Sequence, residues 1–234
     1  MAGGESRGYF IAGTDTGVGK TRVSCALLRA FGARGRTTVG MKPVVAGRED
    51  GSYRDVELLQ AASSVAVSRR QANPYAFAPA IAPHIAAERA GVVIHMDVIR
   101  AAAALLQGMA ERVVVEGAGG FLVPLGPDRD GADMAVALGF PVILVVGMRL
   151  GCLNHALLTA RAVRDTGLPF AGWVANCIEP ELAMLDENIG TLAQRLDGPL
   201  LGILPFGPAI DAVQLSLLLD IDRLEQTSIR QVPG

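Results

Sequence analysis

Two rhythms of apolar and polar positions alternate along this 234-residue chain. Short, largely apolar runs at residues 9–12, 37–41, 113–115, 141–146, 170–175 and 199–204 are bounded by glycine, proline or polar residues. Runs of that length predict strands, and the continuous β-branched run at 113–115 predicts a central parallel strand buried on both faces. Between the runs, apolar residues recur at three- and four-residue spacing, as Val23, Ala26, Leu27 and Ala30 do, and predict helices. Such helices are expected after residue 20, over 55–63, over 98–107 with Asp97 as N-cap and Gly108 as stop, and over about 180–196. Another runs from a cap at Asn154 to Arg164, and a short one lies within 209–224. Strands alternating with helices predict an α/β fold, a mainly parallel sheet covered by helices on both faces. Residues 46–54 read as a polar loop and 73–84 as a proline-punctuated connection unlike a regular element, able to shape a pocket wall. Residues 1–8 are expected to be a frayed tail and residues 9–234 a single domain, without internal repeats.

The stretch Gly13-Thr14-Asp15-Thr16-Gly17-Val18-Gly19-Lys20-Thr21 joins the first strand to the first helix. A glycine-rich loop in that position turns backbone N–H groups and a helix N-terminus toward a phosphate chain, with Lys20 reaching the outer phosphates and the Thr21 hydroxyl available to magnesium. Five residues separate Gly13 from Gly19 where the usual pattern has four, so the loop is one residue long. Three further positions carry chemistry. Lys42 closes the second strand just before Pro43, at the strand end where open α/β sheets bind ligands, although position alone allows an ordinary surface lysine. Asp55 opens a helix, where a carboxylate caps the backbone or, facing the nucleotide, holds magnesium; sequence alone favours the cap. Glu116 follows the run at 113–115 and precedes Gly117-Ala118-Gly119-Gly120, which suits a magnesium-organising carboxylate beside a close backbone approach.

Composition narrows the partners. The net charge of -2 gives no electrostatic argument for nucleic acid. Half of the residues are hydrophobic, yet no run approaches the length of a membrane span, so a cytoplasmic address is expected. Cys25, Cys152 and Cys177 are widely spread, with no metal-ligand spacing and an odd count, and read as reduced thiols. His84, His95 and His155 do not cluster and read as structural.

Six ordered segments carry a resemblance: the loop at 13–21, Gly-Met-Lys-Pro-Val at 40–44, Asn-Pro-Tyr-Ala-Phe with Ala-Pro-His within 73–84, Val-Glu-Gly-Ala-Gly-Gly at 115–120, Leu-Gly-Cys-Leu-Asn-His at 150–155 and Trp-Val-Ala-Asn at 173–176. With them the chain resembles the dethiobiotin synthetase family from about residue 9 to residue 205. The resemblance implies a P-loop NTPase-like fold. It also implies an ATP- and magnesium-dependent closure of 7,8-diaminopelargonate with carbon dioxide to dethiobiotin, through a carbamate and a carbamic-phosphoric anhydride. Carried over, Lys20 and Lys42 stabilise the transferring phosphoryl group and carbamate, and Thr21, Asp55 and Glu116 hold magnesium. Thr16, Gly17, Val18 and Gly19, with Gly117, Ala118 and Gly119, surround the nucleotide; Asn176, Cys177, Pro205, Phe206 and Gly207 belong to its adenine end. Ala46, Gly151, Cys152 and Asn154 contact the substrate, the last three across a two-fold homodimer interface. Ala46 stands where the family usually has a small hydroxyl residue, so one hydrogen bond is expected to be missing. Beyond residue 206 the match fades, and Asp211 stands as a further candidate for nucleotide contact.

Two other readings compete. A nucleotide-switched regulatory ATPase of the partition or septum-site type would need its signature lysine at position 15, which is Asp15 here. An amidoligase of the cobyrinate type shares the loop, but is expected to need a glutaminase domain for which these residues leave no room.

Overall fold

The structure, a computed structural model, describes residues 7–207 and 209–230. In chain order its elements are β1 (Gly8–Gly13), α1 (Lys20–Ala33), β2 (Thr38–Met41), β3 (Val44–Ala46), α2 (Arg54–Ala62), α3 (Arg69–Ala72), β4 (Tyr75–Phe77), α4 (Pro83–Arg89), α5 (Met96–Gln107), β5 (Arg112–Glu116), α6 (Gly131–Leu138), β6 (Val142–Met148), α7 (Cys152–Asp165), β7 (Phe170–Cys177), α8 (Leu185–Arg195), β8 (Leu200–Leu204), α9 (Ala212–Ser216) and α10 (Ile221–Arg230). Six strands form one sheet in the order β2-β5-β1-β6-β7-β8, and all five neighbouring pairs in it are parallel. The order places β1 between β5 and β6, so the chain winds away from β1 in both directions. The loop leaving β1 therefore emerges at the crevice where open parallel sheets bind ligands.

Alternation along each strand divides the core. Phe10, Ala12, Val113, Val115, Leu144 and Trp173 face one side, where they pack with Ile99 and Leu106 of α5, Met134 of α6 and Ala156 and Val163 of α7. Tyr9, Ile11, Val114, Ile143, Val145 and Val174 face the other, against Val23, Leu27 and Leu28 of α1, Leu59 of α2 and Leu215 and Leu224 of α9 and α10. Val113, Val114 and Val115 are each fully buried, which is why the run has no polar alternation. Among the described residues no helix is long and apolar enough to cross a membrane.

Several local expectations need correction. Gly8 already belongs to β1, and residues 1–6 of the expected tail lie outside the described residues. The connection at 73–84 holds β4, which pairs with β3 in a two-stranded parallel sheet. Three-residue strands paired across thirty-one positions carry no local rhythm. Their register is set by Asn73, whose buried amide donates to the Lys42 carbonyl at 2.7 Å, and by the Tyr75 N–H on the Pro43 carbonyl at 3.0 Å. The unpredicted α6 is almost wholly apolar and so lacks an amphipathic stripe. Its signal is the capping box in which Asp130 accepts from the Asp133 N–H and Asp133 from the Asp130 N–H. Asn154 is not a cap: Gly151 holds that position with φ of 93°, a left-handed backbone that suits glycine. His95, not Asp97, precedes α5, and the end of the described chain holds two helices, α9 and α10, rather than one.

Candidate active site

Strand register assembles the site. Met41 is opposite Val115 across β2 and β5, and Glu116 is opposite Ile11 across β5 and β1. The next residue after β2 is Lys42, so Glu116 lies between Lys42 on one side and the loop after β1 on the other. Lys42 is a buried lysine, only 5% exposed, and not the surface residue that position alone allowed. Its ammonium donates to Glu116 Oε1 at 2.5 Å and to the Gly117 carbonyl at 3.2 Å, and lies 3.1 Å from Asp55 Oδ2. Burial pulls the Lys42 pKa down, but the charges of Glu116 and Asp55 outweigh it and hold the pKa above its ordinary value. Asp55, half-exposed in the first turn of α2, makes no cap hydrogen bond there: the N-cap is Tyr53. Desolvation raises its pKa, yet Lys42 pulls it below the usual carboxylate range overall.

Lys20 opens α1 and is 6% exposed. It arches over its own loop, donating to the carbonyls of Asp15 at 2.8 Å and Gly119 at 2.6 Å. Desolvation, then repulsion from Lys42, lowers its pKa to about 8. These are the only two lysines in the sequence. The Thr21 hydroxyl donates to Glu116 Oε1 at 2.9 Å, which ties the glycine loop to the end of β5. Gly19 caps α1 at φ of 87°, and a Cβ there would strike the side-chain amide of Asn176. Glycine is required at that point both by conformation and by the close approach.

Thr16, Gly17, Gly19, Lys20 and Thr21 form one wall of a cavity of about 710 Å³, with Lys42, Asp55, Glu116, Ala118 and Gly119 at its floor. Val44, Val45 and Ala46 of β3, residues 80–82, Pro83 of α4 and Val123 make the opposite wall, so the proline-rich connection does border the pocket. The donor set at the floor is hard oxygen: one hydroxyl and two carboxylates. Glu116 Oε2 is buried without a hydrogen-bond partner, the kind of orphan that a cation completes. No group of three or more His, Cys, Asp or Glu side chains able to hold a metal occurs among the described residues. Two carboxylates and a hydroxyl fit magnesium, which keeps waters and takes phosphate oxygens for its remaining positions.

The other expected residues fall elsewhere. Val18 is buried, and its carbonyl accepts from Asn176 Nδ2 at 2.8 Å. Asn176 and Cys177 end β7, with Pro205, Phe206 and Gly207 just beyond β8, so the residues expected at the adenine end lie past the carboxyl ends of two paired strands. Arg22, which the motif reading missed, joins them through Asn176 Oδ1 and the carbonyls of Pro205 and Gly207. Gly151 and Asn154 are exposed and do not line the cavity. The Cys152 side chain is packed into the core and its N–H donates to the Arg149 carbonyl at 3.0 Å. Arg149, also missed, reaches Asp15 at 2.6 Å and brings this segment against the glycine loop. Asp211 spends its carboxylate on the N-terminus of α9, accepting from Val213 and Gln214.

A lysine-bearing glycine loop at the switch point of a parallel sheet, with acid and lysine on the neighbouring strand ends, defines a P-loop NTPase-like nucleotide-using protein. The septum site-determining protein MinD from Pyrococcus horikoshii, solved with Mg-ADP, has the same fold, with a TM-score of 0.57 at 17% identity over 96% of this chain and 93% of that one. A family model described as an AAA domain matches residues 7–214. The chain is 61% identical to the ATP-dependent dethiobiotin synthetase BioD of Nitrosospira multiformis over 96% of its own length and 100% of that protein. It is 50% identical to the protein of that name from Aromatoleum aromaticum, over 92% and 97% of the two lengths. The chain belongs to the ATP-dependent dethiobiotin synthetase family.

Proposed function

We propose a division of labour within this cavity for the ATP-dependent synthesis of dethiobiotin, the activity of the family. The substrates are 7,8-diaminopelargonate, carbon dioxide and ATP. One substrate amine takes up carbon dioxide as a carbamate, releasing a proton. A carbamate oxygen attacks the γ-phosphorus of ATP, ADP leaves, and the second amine then attacks the carbamoyl carbon and expels phosphate as the ring closes. Residues 13–21 hold the phosphates, with the Lys20 ammonium turning from the Asp15 and Gly119 carbonyls to the outer phosphates. Lys42 carries charge to the oxygen that bridges carbamate and phosphoryl group. Magnesium, when bound, supplies charge compensation for the β- and γ-phosphates, and Thr21, Asp55 and Glu116 are the residues that would hold it. Catalysis of this kind rests on positioning and fixed charge, which suits a site built from strand ends.

The observation that carries the reading is the convergence of both lysines of the chain with Glu116 beneath one cavity. The apolar wall of Val44, Val45, Pro83 and Val123 suits the alkyl chain of a diamino acid, and Ala46 lies in that wall without a hydroxyl to offer. Asn176 and residues 205–207 receive the adenine. The substrate carboxylate goes to the segment at Gly151 and Asn154 of a second protomer in a homodimer. In support, Leu150 beside it is 94% exposed and Leu158, one turn after Asn154 on α7, is 60% exposed, apolar surface that a two-fold contact would cover. The enzyme is placed in the cytoplasm, with no nucleic-acid or membrane partner. Phosphate release measured with each of diaminopelargonate and bicarbonate present or withheld tests the whole. Release that requires both, with dethiobiotin formed in equal amount, is expected; release independent of either would point instead to a regulatory ATPase.

A further inference from the structure

Arg22 is one residue past the glycine loop, in the first turn of α1, and its side chain bridges to the ends of β7 and β8. Nη1 donates to Asn176 Oδ1 at 3.0 Å, and Nη2 donates to the carbonyls of Pro205 at 2.8 Å and Gly207 at 3.2 Å. Asn176 is 1% exposed, and its Nδ2 donates to the Val18 carbonyl at 2.8 Å, which turns its oxygen toward Arg22. Three oxygen acceptors from two separate segments therefore converge on a single guanidinium. The cavity over the phosphate loop is not lined by Asn176, Pro205 or Gly207.

Acceptors gathered in this way are a receptor for N–H donors. On a purine, the exocyclic amine of adenine brings two such donors, whereas hypoxanthine presents a carbonyl oxygen at the same edge. We propose that Arg22 is a specificity-determining residue of the nucleotide site: its guanidinium stands in for the exocyclic amine of the base. An amine-bearing base gains the three acceptors by displacing Arg22. A carbonyl-bearing base leaves Arg22 seated and accepts a hydrogen bond from it. The parent chain then discriminates weakly between the two bases, because the amine's hydrogen bonds replace those of the guanidinium and do not add to them. This inference rests on the placement of the base at Asn176 and residues 205–207.

The test is equilibrium binding of ADP, IDP and inorganic tripolyphosphate to the full chain and to Arg22→Met. Methionine matches arginine in helix propensity and has no donors. The ratio of ADP to IDP affinity is expected to rise about tenfold in the variant, the scale of one charge-assisted hydrogen bond. Tripolyphosphate should bind both proteins alike, which shows the phosphate loop intact. ADP preferred over IDP by the same or a smaller ratio in the variant would overturn the role of Arg22 while leaving the base where it is placed. Equal binding of ADP and IDP by both proteins would overturn the placement itself. Loss of tripolyphosphate affinity in Arg22→Met would assign the residue to the phosphates and overturn the proposal.

Discussion

Replacing Lys42 by glutamine takes the positive charge out of a pair that folding has removed almost entirely from water. The Lys42 side chain is 5% exposed and that of Glu116 is 1%, with 2.5 Å between ammonium and carboxylate oxygen, and the second carboxylate oxygen already lacks a partner. In the variant the buried carboxylate keeps the Thr21 hydroxyl and at most one neutral amide donor. Removing one partner of a buried pair costs about 3–5 kcal/mol. Asp55 adds little, because its side chain is 41% exposed and water screens the contact. The retained amide donor places the loss at the low end, about 3 kcal/mol, and for a domain of this size that lowers the midpoint of thermal unfolding by about 6–12 °C. The pH dependence follows from the shifts. The raised Lys42 pKa means that its contribution is complete below the unfolded value and fades only as pH rises through the folded one. The depressed Asp55 pKa means that its contribution is complete above the unfolded value and fades as pH falls through the folded one. The deficit should be flat between about pH 5 and pH 7, short of the range in which Lys20, whose pKa Lys42 helps to lower, titrates. Magnesium should raise the midpoint of Lys42→Gln more than that of the parent, since it replaces the missing cation at Glu116. Calorimetric unfolding with and without magnesium checks both statements. A midpoint within about 2 °C of the parent would refute the assignment of Lys42 and Glu116 as a mutually dependent buried pair. Turnover should fall at least about a hundredfold while MgATP binds within about tenfold, because Lys42 acts on charge that grows in the transition state.

Four further outcomes are expected. With two lysines in the chain, side-chain nitrogen-15 labelling yields two lysine signals, and one should titrate near 8 in the free protein. Because that folded pKa lies below the unfolded value of about 10.4, the free protein should gain stability as pH rises between the two, and tripolyphosphate should move the midpoint upward; two signals that both titrate above about 10 would contradict the burial argument. Glu116→Gln should fold and lose magnesium-dependent turnover, and unchanged activity at limiting magnesium would remove Glu116 from the metal. Gly19→Ala forces a side chain into a left-handed backbone against Asn176, so ADP affinity measured by titration calorimetry should drop more than about tenfold, and retention of parental affinity would show the loop to be more pliant than its geometry. Mixing Lys20→Ala with Asn154→Ala protomers should restore part of the activity that each alone lacks, whereas failure after demonstrated subunit exchange would count against sites shared between protomers.

The sequence by itself determined the strands of the six-stranded sheet, the glycine loop and the acid that ends β5, because each is written within a few adjacent residues. A strand buried on both faces must be continuously apolar, and a loop that wraps phosphate must carry glycine where φ is positive. Six ordered segments were enough to indicate the family. Whatever depended on pairing across the chain was settled only by tertiary structure. Asp55 read as a helix cap because caps are local; its ion pair with Lys42 exists only because α2 folds back beside the end of β2. Lys42 was indistinguishable from a surface lysine until the Met41 to Val115 register put it beside Glu116. The same holds for β3 and β4, whose three-residue strands have no periodicity of their own, and for Arg22 and Arg149, long side chains outside any motif. Cys152 shows the same dependence: its motif does not say that its side chain packs into the core, because its neighbours in space, and not its neighbours in sequence, decide that.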